Sequence, residues 1–145
     1  MTVIAWDGKK LAADNMSLSG EWKVKVKKLF RIGEDWVGAA GSFDYAQELI
    51  EWYANGQDKD KFPEFQRGDD TWVALLVVTG DRRLLKYERS PIPIEFNIKT
   101  QYAIGSGRDF ALAAMHLGYD AKKAAQVACD LCASCGFGVT AVEVL

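Results

Sequence analysis

Apolar and polar residues alternate from the start of the chain. Thr2–Asp7, "TVIAWD", is rich in strand formers, Asp7-Gly8 is a hairpin turn pair, and Lys10–Asn15, "KLAADN", reads as the return strand. The alternation is cleanest in "EWKVKVKKLFRIG". There Trp22, Val24 and Val26 face one way and Lys23, Lys25 and Lys27 the other, which predicts one half-buried strand. "DWVGAAG" is short, apolar and small, a further strand ending at Gly41. The spacing then becomes helical in "SFDYAQELIEWYANG". Phe43, Ala46, Leu49, Ile50 and Tyr53 form a stripe, with Ser42 placed to cap the helix and Gly56 to end it.

"QDKDKFPEFQRGDD" is polar and loop-like. "TWVALLVVTG" is a continuous apolar strand, "DRR" a turn and "LLKYERS" its partner; the prolines of "PIPIEF" restrict that segment to a sheet edge or a loop. "QYAIGSG" is a short strand running into a glycine-rich turn. "RDFALAAMHLGY" and "DAKKAAQVACDLCA" are two helices separated by Gly118, the second capped by Asp120, and "FGVTAVEVL" is a closing strand. Strands from both ends of the chain imply two sheets, with helices covering their outer faces, in one α+β domain over residues 1–145. No internal repeat or low-complexity segment interrupts it.

Composition narrows the function more than the fold. At 145 residues the chain is long enough for a sizeable core. A net charge of -2 gives no general basis for nucleic-acid binding. No apolar run reaches membrane-spanning length, and the first residues lack the pattern of a signal peptide. Three cysteines are an odd number, which argues against a secreted disulfide framework, and the expected compartment is the cytoplasm.

Several residues then stand out chemically. Thr2 follows Met1 and leads directly into a strand. It is either a strand residue pinning the terminus or, after removal of Met1, a hydroxyl nucleophile and an amine base on one residue. Asp14 ends a small, apolar strand. It is a turn residue or a carboxylate able to fix a nearby cation. Lys28 breaks the alternation and falls in phase with Val24 and Val26. An inward ammonium is costly unless it is paired or functional, and a bulge would return it to solvent. Gly41 and Gly105–Ser106–Gly107 each end a strand before a helix, as in many α/β turns; such turns can also offer backbone N–H groups to a developing oxyanion. "CDLCASC" places Cys129, Cys132 and Cys135 three residues apart, in a helical context that suits small core thiols. A metal module would need a fourth ligand, and His116, the only histidine, is not nearby in sequence. The expectation is therefore no metal and no cofactor.

In their order and spacing, "TVIAWDGKKLAAD", "VKKLFRI", "VGAAGS" before a helix and "YAIGSGRDFALAAM" resemble the proteasome β-type peptidases. They are similar above all to the bacterial HslV-like peptidases and their short relatives in bacterial and bacteriophage genomes. The resemblance implies an N-terminal-nucleophile (Ntn) hydrolase with a four-layer αββα sandwich. It implies Thr2 as nucleophile, Lys28 activating its hydroxyl, Asp14 holding Lys28, Gly41 in the oxyanion hole and Ser106 beside the α-amine. It also implies hydrolysis of peptides or unfolded proteins through an acyl-enzyme, a homo-oligomeric ring and a possible unfoldase partner. The family usually carries a further Asp before its last strands, where this chain has Ser134 or Cys135. The chain is short for the family, so a trimmed helix or hairpin is expected. Alternative functions on the same fold are an inactive shell or assembly subunit and an amidase acting on small amides.

Overall fold

The computed structural model describes residues 2–64 and 72–145. Met1 and residues 65–71, the latter within the segment expected to be a loop, lie outside the described residues.

The first sheet is built from both ends of the chain, in the antiparallel order β10 (Tyr102–Ile104), β1 (Ile4–Trp6), β2 (Lys10–Asp14), β11 (Val139–Glu143). Asp7 closes the β1–β2 turn as the dipeptide predicts, its Oδ1 accepting the N–H groups of Lys9 and Lys10, both at 2.8 Å. The second sheet is antiparallel in the order β5 (Leu29–Ile32), β6 (Asp35–Gly41), β7 (Val73–Val78), β8 (Leu84–Tyr87), β9 (Ile94–Phe96). The proline-flanked β9 takes the edge, where a missing N–H does no harm. Helix α1 (Phe43–Ala54) follows β6, and α2 (Arg108–His116) and α3 (Ala121–Leu131) follow β10. Asp120 caps α3 by accepting the Lys123 N–H at 2.8 Å.

Strand alternation sorts the buried side chains into three cores. Val3, Ala5 and Ala12 face α2 and α3 on one side of the first sheet. Ile4, Trp6 and Leu11 point the other way and meet Leu76, Val78 and Leu84 of the second sheet. Val73, Leu75 and Val77 emerge on the opposite face of β7 and pack under Leu49, Trp52 and Tyr53 of α1. β7 is thus buried on both faces, which is why its sequence is a continuous apolar run. Trp6 settles its one donor by giving its indole N–H to the Ile98 carbonyl at 2.7 Å.

The segment expected to be one half-buried strand is two strands in different sheets. Among the described residues β4 (Trp22–Lys25) pairs only with β3 (Met16–Ser19), a four-residue strand to which the sequence pattern assigns no element. This hairpin stands away from the cores, so Trp22 is 78% exposed and Val24 41%. The chain then leaves the hairpin, with the Val26 N–H on the Asn15 carbonyl at 2.8 Å, and enters β5. The α1 stripe also differs from expectation. Phe43 is exposed, and Trp52 is buried instead, its N–H held by the Asp58 carbonyl at 2.7 Å. Ser42 stands at the N-cap, but its side chain makes no capping bond.

These differences set opposite outcomes for two large side chains. Leu76→Ala opens a cavity between the sheets and should lower stability by about 2–5 kcal/mol in urea unfolding. Trp22→Ala, on the exposed hairpin, should change it by less than about 0.5 kcal/mol. Equal losses would contradict this placement of the cores.

Candidate active site

Among the described residues only four polar or charged side chains are buried: Thr2, Asp14, Lys28 and Thr79. Three of them form a single cluster. Thr2 precedes β1, Asp14 ends β2, and Lys28 lies one residue before β5, so the cluster joins the two sheets. The Lys28 ammonium donates to Asp14 Oδ1 at 2.8 Å, to the Met16 carbonyl at 2.5 Å and to Thr2 Oγ1. It therefore points inward. The bulge that would have returned it to solvent does not form, because the chain changes sheets at this point rather than continuing β4.

Asp14 is fully buried and accepts four hydrogen bonds. Oδ1 takes the Val3 N–H at 3.1 Å as well as Lys28, and Oδ2 takes the N–H groups of Met16 at 3.3 Å and Gly136 at 3.1 Å. Burial pulls the Lys28 ammonium below the usual lysine range. The charge and hydrogen bond of Asp14 oppose that shift without cancelling it.

The backbone of Thr2 is held from the other side by the turn after β10. The Thr2 N–H donates to Ser106 Oγ at 3.0 Å, and the Thr2 carbonyl accepts the Gly107 N–H at 3.0 Å. Gly105, at φ +100°, makes this approach possible, since a Cβ there would sit 2.1 Å from the Thr2 carbonyl oxygen. Gly41 has the same character at φ +107°, where a Cβ would sit 2.1 Å from the Trp72 carbonyl oxygen. Thr2, Lys28 and Gly41 share a cavity of about 320 Å³ whose wall is continued by Phe30, Ala46 and Ile50. Of the five candidates, Lys28 meets the Thr2 hydroxyl and Asp14 holds Lys28, Ser106 holds the Thr2 main chain, and Gly41 lines the same cavity as Thr2.

The remaining candidates fall elsewhere or in a second rank. His116 is exposed at the end of α2. Among the described residues no three His, Cys, Asp or Glu side chains converge as a metal site, and all three cysteines are free. In the segment where the resemblance expects a further Asp, Ser134 is half-buried, Cys135 is buried against Gly107, and Cys132 Sγ lies 4.0 Å from Ser106 Oγ. Sequence reasoning missed the three backbone amides on Asp14. Backbone donors carry no residue signature.

Several solved structures are similar to this chain over nearly its whole length. One is BPH of Thiobacillus denitrificans in complex with epoxomicin, with a TM-score of 0.70 at 17% identity over 99% of this chain and 98% of that one. A second structure of Thiobacillus denitrificans BPH has a TM-score of 0.68 at 19% identity, with the same coverage. The eukaryotic HslV from Trypanosoma brucei has a TM-score of 0.69 at 23% identity, over 98% of each chain. The chain therefore has an HslV-like Ntn-hydrolase fold. The match runs over nearly the full length of each of these structures. No protein-family model and no curated protein sequence matches the chain.

The cluster predicts an asymmetry in stability. Asp14→Ala strands a buried cation and three backbone N–H groups, and should cost about 3–5 kcal/mol. Lys28→Met leaves the carboxylate with its three amide donors and should cost clearly less. Denaturant unfolding of both variants measures the difference; equal costs would mean that the ion pair, not the amides, anchors Asp14.

Proposed function

We propose that the protein is a threonine-type endopeptidase in which Thr2, exposed as the N-terminal residue by removal of Met1, is the nucleophile. The observation that carries this reading is the hydrogen bond from the buried Lys28 ammonium to Thr2 Oγ1, with Asp14 behind the lysine. A lysine used only for structure has no need of a hydroxyl facing a cavity. The three cores further support a four-layer αββα sandwich, with α2 and α3 outside the first sheet and α1 outside the second.

The mechanism follows from the positions of the groups. With Met1 gone, the nitrogen that Ser106 holds becomes an α-amine with an ordinary pKa of about 7.7–8.0. Its neutral form accepts the Thr2 hydroxyl proton as the oxygen attacks a peptide carbonyl. Lys28 keeps its own proton and stabilises the negative charge growing on Oγ1. The Gly41 N–H faces the carbonyl oxygen as it becomes an oxyanion, an interaction typically worth about 3 kcal/mol per donor. The amine then protonates the leaving amine, and water hydrolyses the acyl-ester by the reverse path. The apolar lining of Phe30, Ala46 and Ile50 receives a substrate side chain next to the scissile bond. By likeness to HslV, the active assembly is a homo-oligomeric ring acting on peptides or unfolded proteins.

Epoxomicin, the molecule in complex with the Thiobacillus protein, is the natural probe. Purified protein lacking Met1 should gain its mass at Thr2 and hydrolyse peptides. Thr2→Ala should abolish both while keeping the fold, and Thr2→Ser should retain part of the activity. Retention of Met1 in the native host, or hydrolysis by Thr2→Ala at the wild-type rate, would replace this reading with a non-catalytic shell subunit.

The rate should also be bell-shaped in pH. It rises as the α-amine loses its proton. It falls when Lys28 loses its own, and because burial lowers that pKa, the alkaline limb lies below the usual lysine range. A profile that keeps rising through that range would remove Lys28 from the mechanism.

A further inference from the structure

Behind Ser106, on the side away from the cavity, the chain places two thiols that the proposed chemistry does not use. Cys132 ends α3, and the Cys135 N–H donates to the Cys132 carbonyl at 3.2 Å, so the four residues 132–135 form a tight turn. A turn of this kind brings its first and last Cα atoms within about 7 Å, close to the 4.4–6.8 Å that a disulfide needs. The two thiols belong to the first and last residues of this turn, Cys132 and Cys135. Both touch the turn that holds Thr2. Cys132 Sγ lies 4.0 Å from Ser106 Oγ, and a Cβ on Gly107 would meet Cys135 Sγ at 2.9 Å.

We infer that Cys132 and Cys135 are a dithiol–disulfide modification site, oxidised by low-molecular-weight disulfides, whose state is transmitted to Thr2 through Ser106 and Gly107. The two thiols differ in the way such a couple requires. Cys132 is partly exposed. Burial alone would push its thiol up, but hydrogen bonds from the Ser134 backbone, the Cys135 thiol and Ser106 bring it below the ordinary value. Cys135 is 5% exposed, and burial pushes its thiol up to about 12, which suits a residue that reacts second and only with a partner already beside it. Cys129 is in neither position. Burial raises its thiol to about 11, and its Sγ faces the Gly138 carbonyl at 3.8 Å, away from Ser106.

The exchange balances without any further reactant. The Cys132 thiolate attacks one sulfur of the small disulfide, forming a mixed disulfide and releasing the first small thiolate. The Cys135 sulfur then attacks the Cys132 sulfur, forming the internal bond and releasing the second. The two protons from the cysteines pass to the two leaving thiolates. The protein loses two electrons and the small disulfide gains them.

Closing the bond must move sulfur, because the S–S length is about 2.05 Å, well inside any non-bonded contact. Cys135 is buried in the core under α2 and α3 with its Sγ close to Gly107, whereas Cys132 is partly exposed, so it is the Cys132 sulfur that moves and leaves Ser106. Ser106 is the acceptor of the Thr2 N–H. A shift there misplaces the terminus, and about 1 Å of misplacement can cost on the order of a hundredfold in rate.

The test uses the full chain treated with glutathione disulfide, then with dithiothreitol. Peptide mapping should show an internal Cys132–Cys135 bond, with Cys129 free, that dithiothreitol reverses. Hydrogen exchange should change at the Gly107 amide. Epoxomicin labelling of Thr2 should slow roughly ten- to a hundredfold in the oxidised form. Only the labelling arm rests on the proposed role of Thr2. If the reduced protein does not label at all, that role fails, and the mapping and exchange arms still decide this inference. Cys132→Ser and Cys132→Ala should each abolish the bond and make labelling indifferent to glutathione disulfide. The inference is overturned if all three thiols stay free, if reaction stops at a mixed disulfide, if Cys129 takes part, or if the bond forms without altering the Gly107 amide.

Discussion

Asp14 is the constraint on which the rest depends. Its carboxylate ties together the approach to β1, the start of β3, the segment before β11 and the lysine that opens the second sheet. The farthest of these four attachments, Gly136, lies 122 residues along the chain from Asp14. A buried carboxylate is tolerable only when its lone pairs are occupied, so each attachment requires the others. The result is a rigid mount for Lys28, and through Lys28 for the hydroxyl of Thr2. The ion pair and the inter-sheet junction are one object: Thr2 and Asp14 belong to the first sheet and Lys28 to the second.

A second mount holds the backbone of Thr2 rather than its side chain. Gly105 lets the β10 turn come close, Ser106 takes the Thr2 N–H, and Gly107 gives its own N–H to the Thr2 carbonyl. Thr2 is therefore fixed at three atoms by two independent groups of residues. The hydroxyl is addressed electrostatically from the second sheet, and the main chain sterically from the α2 end of the first. Preorganisation of this kind removes the entropy of searching for an attack geometry.

Much of this was legible in the sequence, for identifiable reasons. β7 was plain because a strand buried on both faces cannot avoid a continuous apolar run, and β9 because two prolines exclude it from a sheet interior. Lys28 was legible as an anomaly of phase, although the supposed reason was wrong. It points inward because the chain changes sheets beside it, not because β4 continues through it. The β3–β4 hairpin misled the reading, since alternation records which residues share a face and not whether anything covers that face. Phe43 and Trp52 exchanged places for a related cause. A helical stripe is broad, and only the position of β8, with Tyr87 against Trp52, decides which of its edges is covered. The amides on Asp14 were out of reach, because every residue but proline has one.

The layer beneath α2 and α3 is made almost wholly of methyl groups. Ala5, Ala12, Ala103, Ala111, Ala114, Ala121, Ala124, Ala125 and Ala128 are all buried there, beside the bulky Ile, Leu and Trp contacts on the far side of the same sheet. Alanine lets backbones approach closely but fills little volume, so the helices lie low over the strands and no side chain can be lengthened without lifting one of them. The two faces of the first sheet therefore follow different evolutionary rules. On the inter-sheet face, one large residue can be exchanged for another of similar volume while its neighbours adjust. On the helix face nearly every single change is an enlargement, and a drift that lifts α2 also lifts Gly107, its N-cap. Variation should accordingly be frozen in the helix layer and accumulate between the sheets, which reverses the common pattern in which the largest buried side chains are the most constrained.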